Sequence, residues 1–166
     1  MVKLHPRPGS DDLADAATGV QLLSDLLLRR LSPRAVDLFG EDPQRALRPI
    51  VDASGGYPRD ALRLVRTLLQ DESTFPVSPA AITRGIRNLR RYYHNLILAT
   101  HRDLLVQVRD THELPSADED QRRAFGQLFA NFLIFAYRNG EEWFDLHPLI
   151  RDAKALAPRP PAEPAR

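Results

Sequence analysis

Apolar residues recur at intervals of three and four along most of this chain, and the spacing changes to two only near its end. Val20, Leu23, Leu27 and Leu31 form one stripe with Leu22 and Leu26 beside it, which predicts a buried helix from about Gly19 to Leu31. Shorter helices are predicted over 33–39, stopped by Gly40, and over 43–53, stopped by Gly55-Gly56, because glycine readily takes the left-handed conformation that closes a helix. Another begins at Pro58 and carries Leu62, Val65 and Leu69 on one face, with Ala61, Leu64 and Leu68 alongside. Ser32-Pro33, Asp42-Pro43 and Ser78-Pro79 each set a capping oxygen before a proline at the first helical position, where its missing amide costs nothing.

From Pro79 a long helical pattern runs to about Leu98 and, past a kink, through Leu104, Leu105 and Val108 to His112. After the break at Leu114-Pro115-Ser116, an amphipathic helix spans roughly Glu119 to Asn131, with Phe125, Leu128, Phe129 and Phe132 on its apolar side. Then the period becomes two. Two short runs, 133–138 and 141–147, flank Asn139-Gly140, the strongest short signal for a two-residue hairpin turn. Such a turn places Arg138 opposite Glu141, Phe135 opposite Phe144 and Leu133 opposite Leu146, giving the ribbon one apolar face. Helices followed by a two-stranded ribbon have the outline of a winged helix, and a lone hairpin must pack on those helices to persist.

Composition narrows the chemistry. With 166 residues, 43% hydrophobic and 27% charged, the chain is that of an ordinary globular protein, too short for a phosphate-loop ATPase together with its lid. Lysine and arginine (23) nearly balance aspartate and glutamate (22), so the net charge of +1 gives no global pull toward nucleic acid or an anionic membrane. The absence of cysteine excludes disulfides, thiolate catalysis and cysteine-held metals. No run of about 18 apolar residues suggests a membrane span, and a cytoplasmic setting without membrane partners is expected. The histidines His94, His101, His112 and His147 show no ligand spacing, so no metal is expected. No serine lies in a Gly-x-Ser-x-Gly setting, which leaves no nucleophile to assign.

The most specific stretch is Ser54-Gly55-Gly56-Tyr57-Pro58-Arg59-Asp60-Ala61-Leu62-Arg63-Leu64, a helix end, a double-glycine turn and a fresh helix with Arg59 in its first turn. A cation there is mildly unfavourable beside the positive end of the helix dipole, and an anion shared by the guanidinium and the helix end would account for it. The segment resembles the sensor-2 motif of AAA+ and related STAND-type P-loop ATPases, in which Gly-Gly-x-Pro-Arg opens a helix of the lid. The resemblance implies that Arg59 contacts nucleotide phosphates, with Gly55, Gly56 and Pro58 shaping the turn. The stretch Tyr137-Arg138-Asn139-Gly140-Glu141-Glu142-Trp143-Phe144-Asp145-Leu146-His147-Pro148 also resembles the close of bacterial ATPases of this kind. Together the likeness spans roughly Gly19 to Arg151.

What is missing matters equally. The chain has neither a Gly-x-x-x-x-Gly-Lys-Ser/Thr loop nor an apolar strand ending in Asp-Glu, so ATP hydrolysis by the chain alone is not expected. It is expected to be either a piece of a larger ATPase or a free-standing lid-like protein, with no cofactor of its own and ATP or ADP met only through a partner core. The expected architecture is mainly α, with a flexible segment over 1–18, a helical lid-like bundle over 19–98, a winged-helix-like module over 99–156 and a disordered proline-rich tail over 157–166. The expected partner is a P-loop ATPase core or another protein. DNA is the alternative, with the helix from Glu119 in the major groove and contacts from Arg122 and Arg123, although Glu119, Asp120, Glu141 and Glu142 oppose phosphate there. Arg84, Arg87 and Arg91 share one helix face and could also meet phosphates, a solvated face being the commoner role of such a row. A protein-interaction domain that keeps only the shape of such a lid is the plainest option. Trp143 is expected to pack the wing against the last helix.

Overall fold

The computed structural model describes residues 2–4, 6, 13–115, 118–139 and 141–157. Among them the architecture is mainly helical, with one two-stranded antiparallel hairpin near the C-terminal end. In chain order come α1 (Leu13–Leu31), α2 (Ala35–Phe39), α3 (Pro43–Ala53), α4 (Pro58–Asp71), α5 (Pro79–Asn95), a 3-10 turn (Ala99–His101), α6 (Arg102–Thr111), α7 (Glu119–Ala130), β1 (Ile134–Asn139) and β2 (Glu141–Leu146). Short 3-10 turns at Pro148–Ile150 and Lys154–Leu156 follow.

Local chemistry sets most boundaries. Asp42 caps α3 by accepting from Arg45 N, and Ser78 caps α5 by accepting from Ala81 N, each before a proline. A capping box of Asp118 and Gln121 starts α7. Ser32-Pro33 behaves otherwise. Arg34 N donates to Leu31 O at 2.8 Å, so these residues close a turn off the end of α1, and α2 starts at Ala35 without a side-chain cap. The first helix also begins at Leu13, six residues before its expected start at Gly19, with Ala16 buried. The expected loose segment is therefore helix over 13–18, and Leu4 is core, because Val2 N donates to Gly56 O at 3.0 Å and draws the chain's start onto the bundle. The expected tail beyond residue 157 lies outside the described residues, as does Gly140 of the turn.

Leu23 and Leu27 of α1 pack with Leu47, Ile50 and Val51 of α3, and α4 packs on α5 through Leu64, Leu68 and the bare Cα of Gly85. This core continues without a break into Leu105, Val108, Leu128, Ile134 and Leu146. After β2 the chain returns to the bundle, where the turn at Pro148–Ile150 packs on α5 and α3.

The hairpin register is one residue from the expected one. Ile134 opposes Leu146, Ala136 opposes Phe144, Tyr137 opposes Trp143, and Arg138 opposes Glu142. Since neighbouring strand residues point to opposite faces, the shift separates Phe135 from Phe144. Both faces of the ribbon are consequently apolar. Ile134 and Leu146 face the main core, while Phe135, Tyr137 and Trp143 form a second cluster with Tyr57 and Phe132. The expected Phe135–Phe144 face presumed that one side met water, whereas among the described residues both sides carry buried side chains. Trp143 stacks on Tyr137 (centroids 4.4 Å apart) and lies 6.0 Å from the His112 ring, so it packs within the ribbon and on the end of α6 rather than on α7.

The second cluster rests on the double-glycine turn. Gly55 (φ +59°) and Gly56 (φ +84°) occupy the left-handed region. A Cβ on Gly55 would lie 2.6 Å from the Phe135 ring and 2.5 Å from Pro148, and one on Gly56 would lie 1.7 Å from Val2 O. Gly55→Ala and Gly56→Ala should each destabilise the protein by about 2 kcal/mol or more, combining backbone strain with overpacking. Urea unfolding checks this, and a loss below about 0.5 kcal/mol would mean that the turn has room to spare.

Candidate functional site

The turn delivers the chain into α4 with Pro58 at its first position, Arg59 next and Asp60 third. Ser54 holds the turn from inside, its hydroxyl donating to Val51 O (2.7 Å) and accepting from Gly56 N (3.3 Å). Tyr137 of β1 donates its hydroxyl to Gly55 O at 3.2 Å. Burial, with Asp145 nearby, pushes the Tyr137 phenol well above its ordinary range, so this donor keeps its proton.

Arg59 is exposed, and its side chain forms no hydrogen bond or ion pair with the described residues. It lines a cleft of about 310 Å³ with Tyr57, Asp60, Arg63, Tyr92, Tyr93, Ala130, Asn131 and Phe132. The Arg63 guanidinium lies 4.7 Å over the Tyr92 ring. Two guanidiniums beside a helix start give the cleft the chemistry of a receptor for phosphate or carboxylate. One wall is the stack of Tyr57 on Phe132, with centroids 4.3 Å apart. Phe132 has φ +56°, a left-handed position where helices usually end on glycine, and Leu133 N donates to Leu128 O to close the α7 terminus around it. A bulky residue there costs on the order of 1 kcal/mol, and the stack on Tyr57 offsets it.

Beneath the cleft lies a network that sequence reasoning missed. Asp60 is buried and accepts from the Tyr93 hydroxyl of α5 at 2.5 Å. His147, fully buried after β2, brings Nε2 to 3.3 Å from the same carboxylate oxygen, without the alignment of a hydrogen bond, and stacks on Tyr93 at 4.0 Å. Leu149 N donates to His147 Nδ1, so the neutral ring carries its proton on Nε2, facing Asp60. The signal was present: Asp60 shares the buried face of α4 with Ala61, Leu64, Val65 and Leu68, an ionisable group among apolar ones. The sequence placed His147 at the end of the ribbon's second run and without metal-ligand spacing, and it singled out neither His147 nor Tyr93 as a site residue. Burial raises the Tyr93 phenol, and the bond to Asp60 raises it further. The three residues pin the first turn of α4 to α5 and to the hairpin's exit.

The remaining predicted residues separate. Arg84 is engaged by Glu72, and Arg123 lies 3.7 Å from Glu119 and 3.9 Å from Asp120, so acidic neighbours on its own helix already answer it. Arg87, Arg91 and Arg122 are exposed and unpaired among the described residues, and Arg122 lies in the first turn of α7, at the other end of that helix from Ala130 of the cleft. No group of three His, Cys, Asp or Glu side chains that could hold a metal occurs among the described residues, and no helix there is long and apolar enough to cross a membrane.

His147 makes stability depend on pH. Burial lowers its pKa below the ordinary 6.5, and Asp60 opposes that shift without cancelling it. The unfolded chain therefore takes up a proton first as pH falls. The stability owed to the neutral ring is complete above about pH 6.5 and is lost as pH drops toward the depressed folded value, with a limiting slope of about 1.4 kcal/mol per pH unit. Urea unfolding at pH 7.5, 6.5 and 5.5 should show this slope in the native protein and a smaller one in His147→Gln; equal slopes would exclude His147 as the source. Comparison of the chain with protein-family models, with curated proteins and with solved structures gives no match.

Proposed function

We propose that this chain is a non-catalytic lid-and-wing module that reads the nucleotide state of a separate phosphate-loop ATPase core, with Arg59 as the group that meets the phosphates. One observation carries the reading: Arg59 stands exposed and unpaired among the described residues while the residues around it are fastened on every side. A surface arginine with no structural task commonly sits on a loose helix face. Arg59 follows a turn that tolerates no side chain, and Asp60 beside it is tied to Tyr93 and His147.

The same fastening supports a coupling role. The glycine turn is gripped by Phe135, Tyr137 and Pro148, which belong to the hairpin and its exit, so a phosphate that draws Arg59 pulls on the hairpin too. ATP and ADP are met only through the core, which supplies the phosphate loop and Mg²⁺ that this chain lacks.

Adding the chain to a lidless phosphate-loop core should change that core's ATP affinity or turnover. Arg59→Ala should reduce the change at least tenfold, about 1.4 kcal/mol for a lost charge-assisted contact, while altering the chain's own stability by less than about 0.5 kcal/mol, as befits an exposed site. Titration of the core's ATPase rate with native and variant chain measures this, and identical titrations with both would refute the role given to Arg59.

A further inference from the structure

A charged surface beyond Arg59 is left over by this reading. Between Pro58 and Asn95 the chain carries seven arginines against three carboxylates, on a protein whose net charge is only +1. All seven arginines are exposed, whereas Asp60 is buried and Glu72 is engaged by Arg84. Arg59, Arg63 and Arg66 lie on the side of α4 opposite its buried Ala61, Leu64 and Val65, and Arg87 and Arg91 lie opposite the buried Ala81, Gly85 and Leu89 of α5. The two helices pack side by side, and the groove between them is lined by Arg63, Thr67, Asn88 and Tyr92. At its end the groove meets the cleft that holds Arg59.

We infer that the α4–α5 face binds a single-stranded nucleic acid, with phosphates along the arginines and a base on Tyr92. Charges spaced about one helical turn apart, roughly 5.4 Å, follow a backbone rather than a single anion. Tyr92 is an exposed aromatic of this face: it is 45% exposed, Arg63 lies over its ring, and its contact with the buried Tyr93 is T-shaped, with centroids 5.5 Å apart. An aromatic ring beside guanidiniums is the platform on which an unpaired base stacks, and a duplex offers no such base. The surface differs from the expected DNA contact through the helix at Glu119, where Arg123 is already answered by acid. It stands apart from the role of Arg59 toward an ATPase core, and its test leaves Arg59 intact.

The experiment is fluorescence anisotropy of the full chain with a labelled single-stranded oligonucleotide of mixed sequence, at low and moderate salt. The inference expects binding at low salt that weakens steeply as salt rises. Arg87→Glu combined with Arg91→Glu should lower affinity at least tenfold and flatten the salt dependence. Tyr92→Ala should lower affinity about tenfold with the salt dependence retained. Absence of binding at low salt overturns the proposal, as does binding indifferent to the Arg87 and Arg91 reversals. Equal binding of a duplex also overturns it, and so does tight binding of labelled polyglutamate with no effect of Tyr92→Ala, which assigns the face to an acidic protein instead.

Discussion

Four segments far apart in sequence converge on residues 54–60, and they can do so only because two consecutive positions there carry no side chain. Val2 lies against Gly56, Phe135 and Pro148 lie against Gly55, and Tyr137 bonds its carbonyl. From the other side, the Asp60 carboxylate gathers Tyr93 and His147. A buried carboxylate is costly unless hydrogen-bonded; here the donor is Tyr93 of α5, and the His147 ring from the segment after the hairpin lies 3.3 Å from the same oxygen. The helical bundle and the ribbon therefore form one body at this point, with the start of α4 as the joint.

That joint separates fastening from presentation. Asp60 suits the third position of a helix, where the dipole favours a negative charge, and its neighbour Arg59 is disfavoured there by the same field. The local arrangement holds an uncompensated cation at the mouth of a cleft, on a backbone with little freedom to withdraw it. A backbone held in this way is preorganised, which lowers the cost of binding for the group it carries, and the neighbouring Gly55 is in contact with the ribbon through Phe135 and Tyr137.

Features decided by neighbours in sequence were legible in it. Asp42-Pro43 and Ser78-Pro79 start helices because cap and proline act within three residues, and the glycine pair ends α3 by local conformation alone. Features decided by distant contacts were not. Ser32-Pro33 has the same local form as the true caps, yet its residues turn back on Leu31. The hairpin register was misread because both faces of the ribbon are buried, so alternation could not say which face was the core. At the site, Arg59 and its turn stood out as a local motif, whereas the Asp60–Tyr93–His147 network joins residues 33 to 87 positions apart and left only one trace, a carboxylate on an apolar helix face.

The measurement closest to the central claim is a double-mutant cycle in urea unfolding at pH 7.5, using Asp60→Asn, His147→Gln and the double variant. If the carboxylate and the imidazole fasten the start of α4 to the hairpin's exit, the losses will be non-additive, with an interaction of about 1 kcal/mol or more between the two sites. Losses that add within about 0.5 kcal/mol would mean that the two groups are merely near each other, and that the joint on which Arg59 depends is not there.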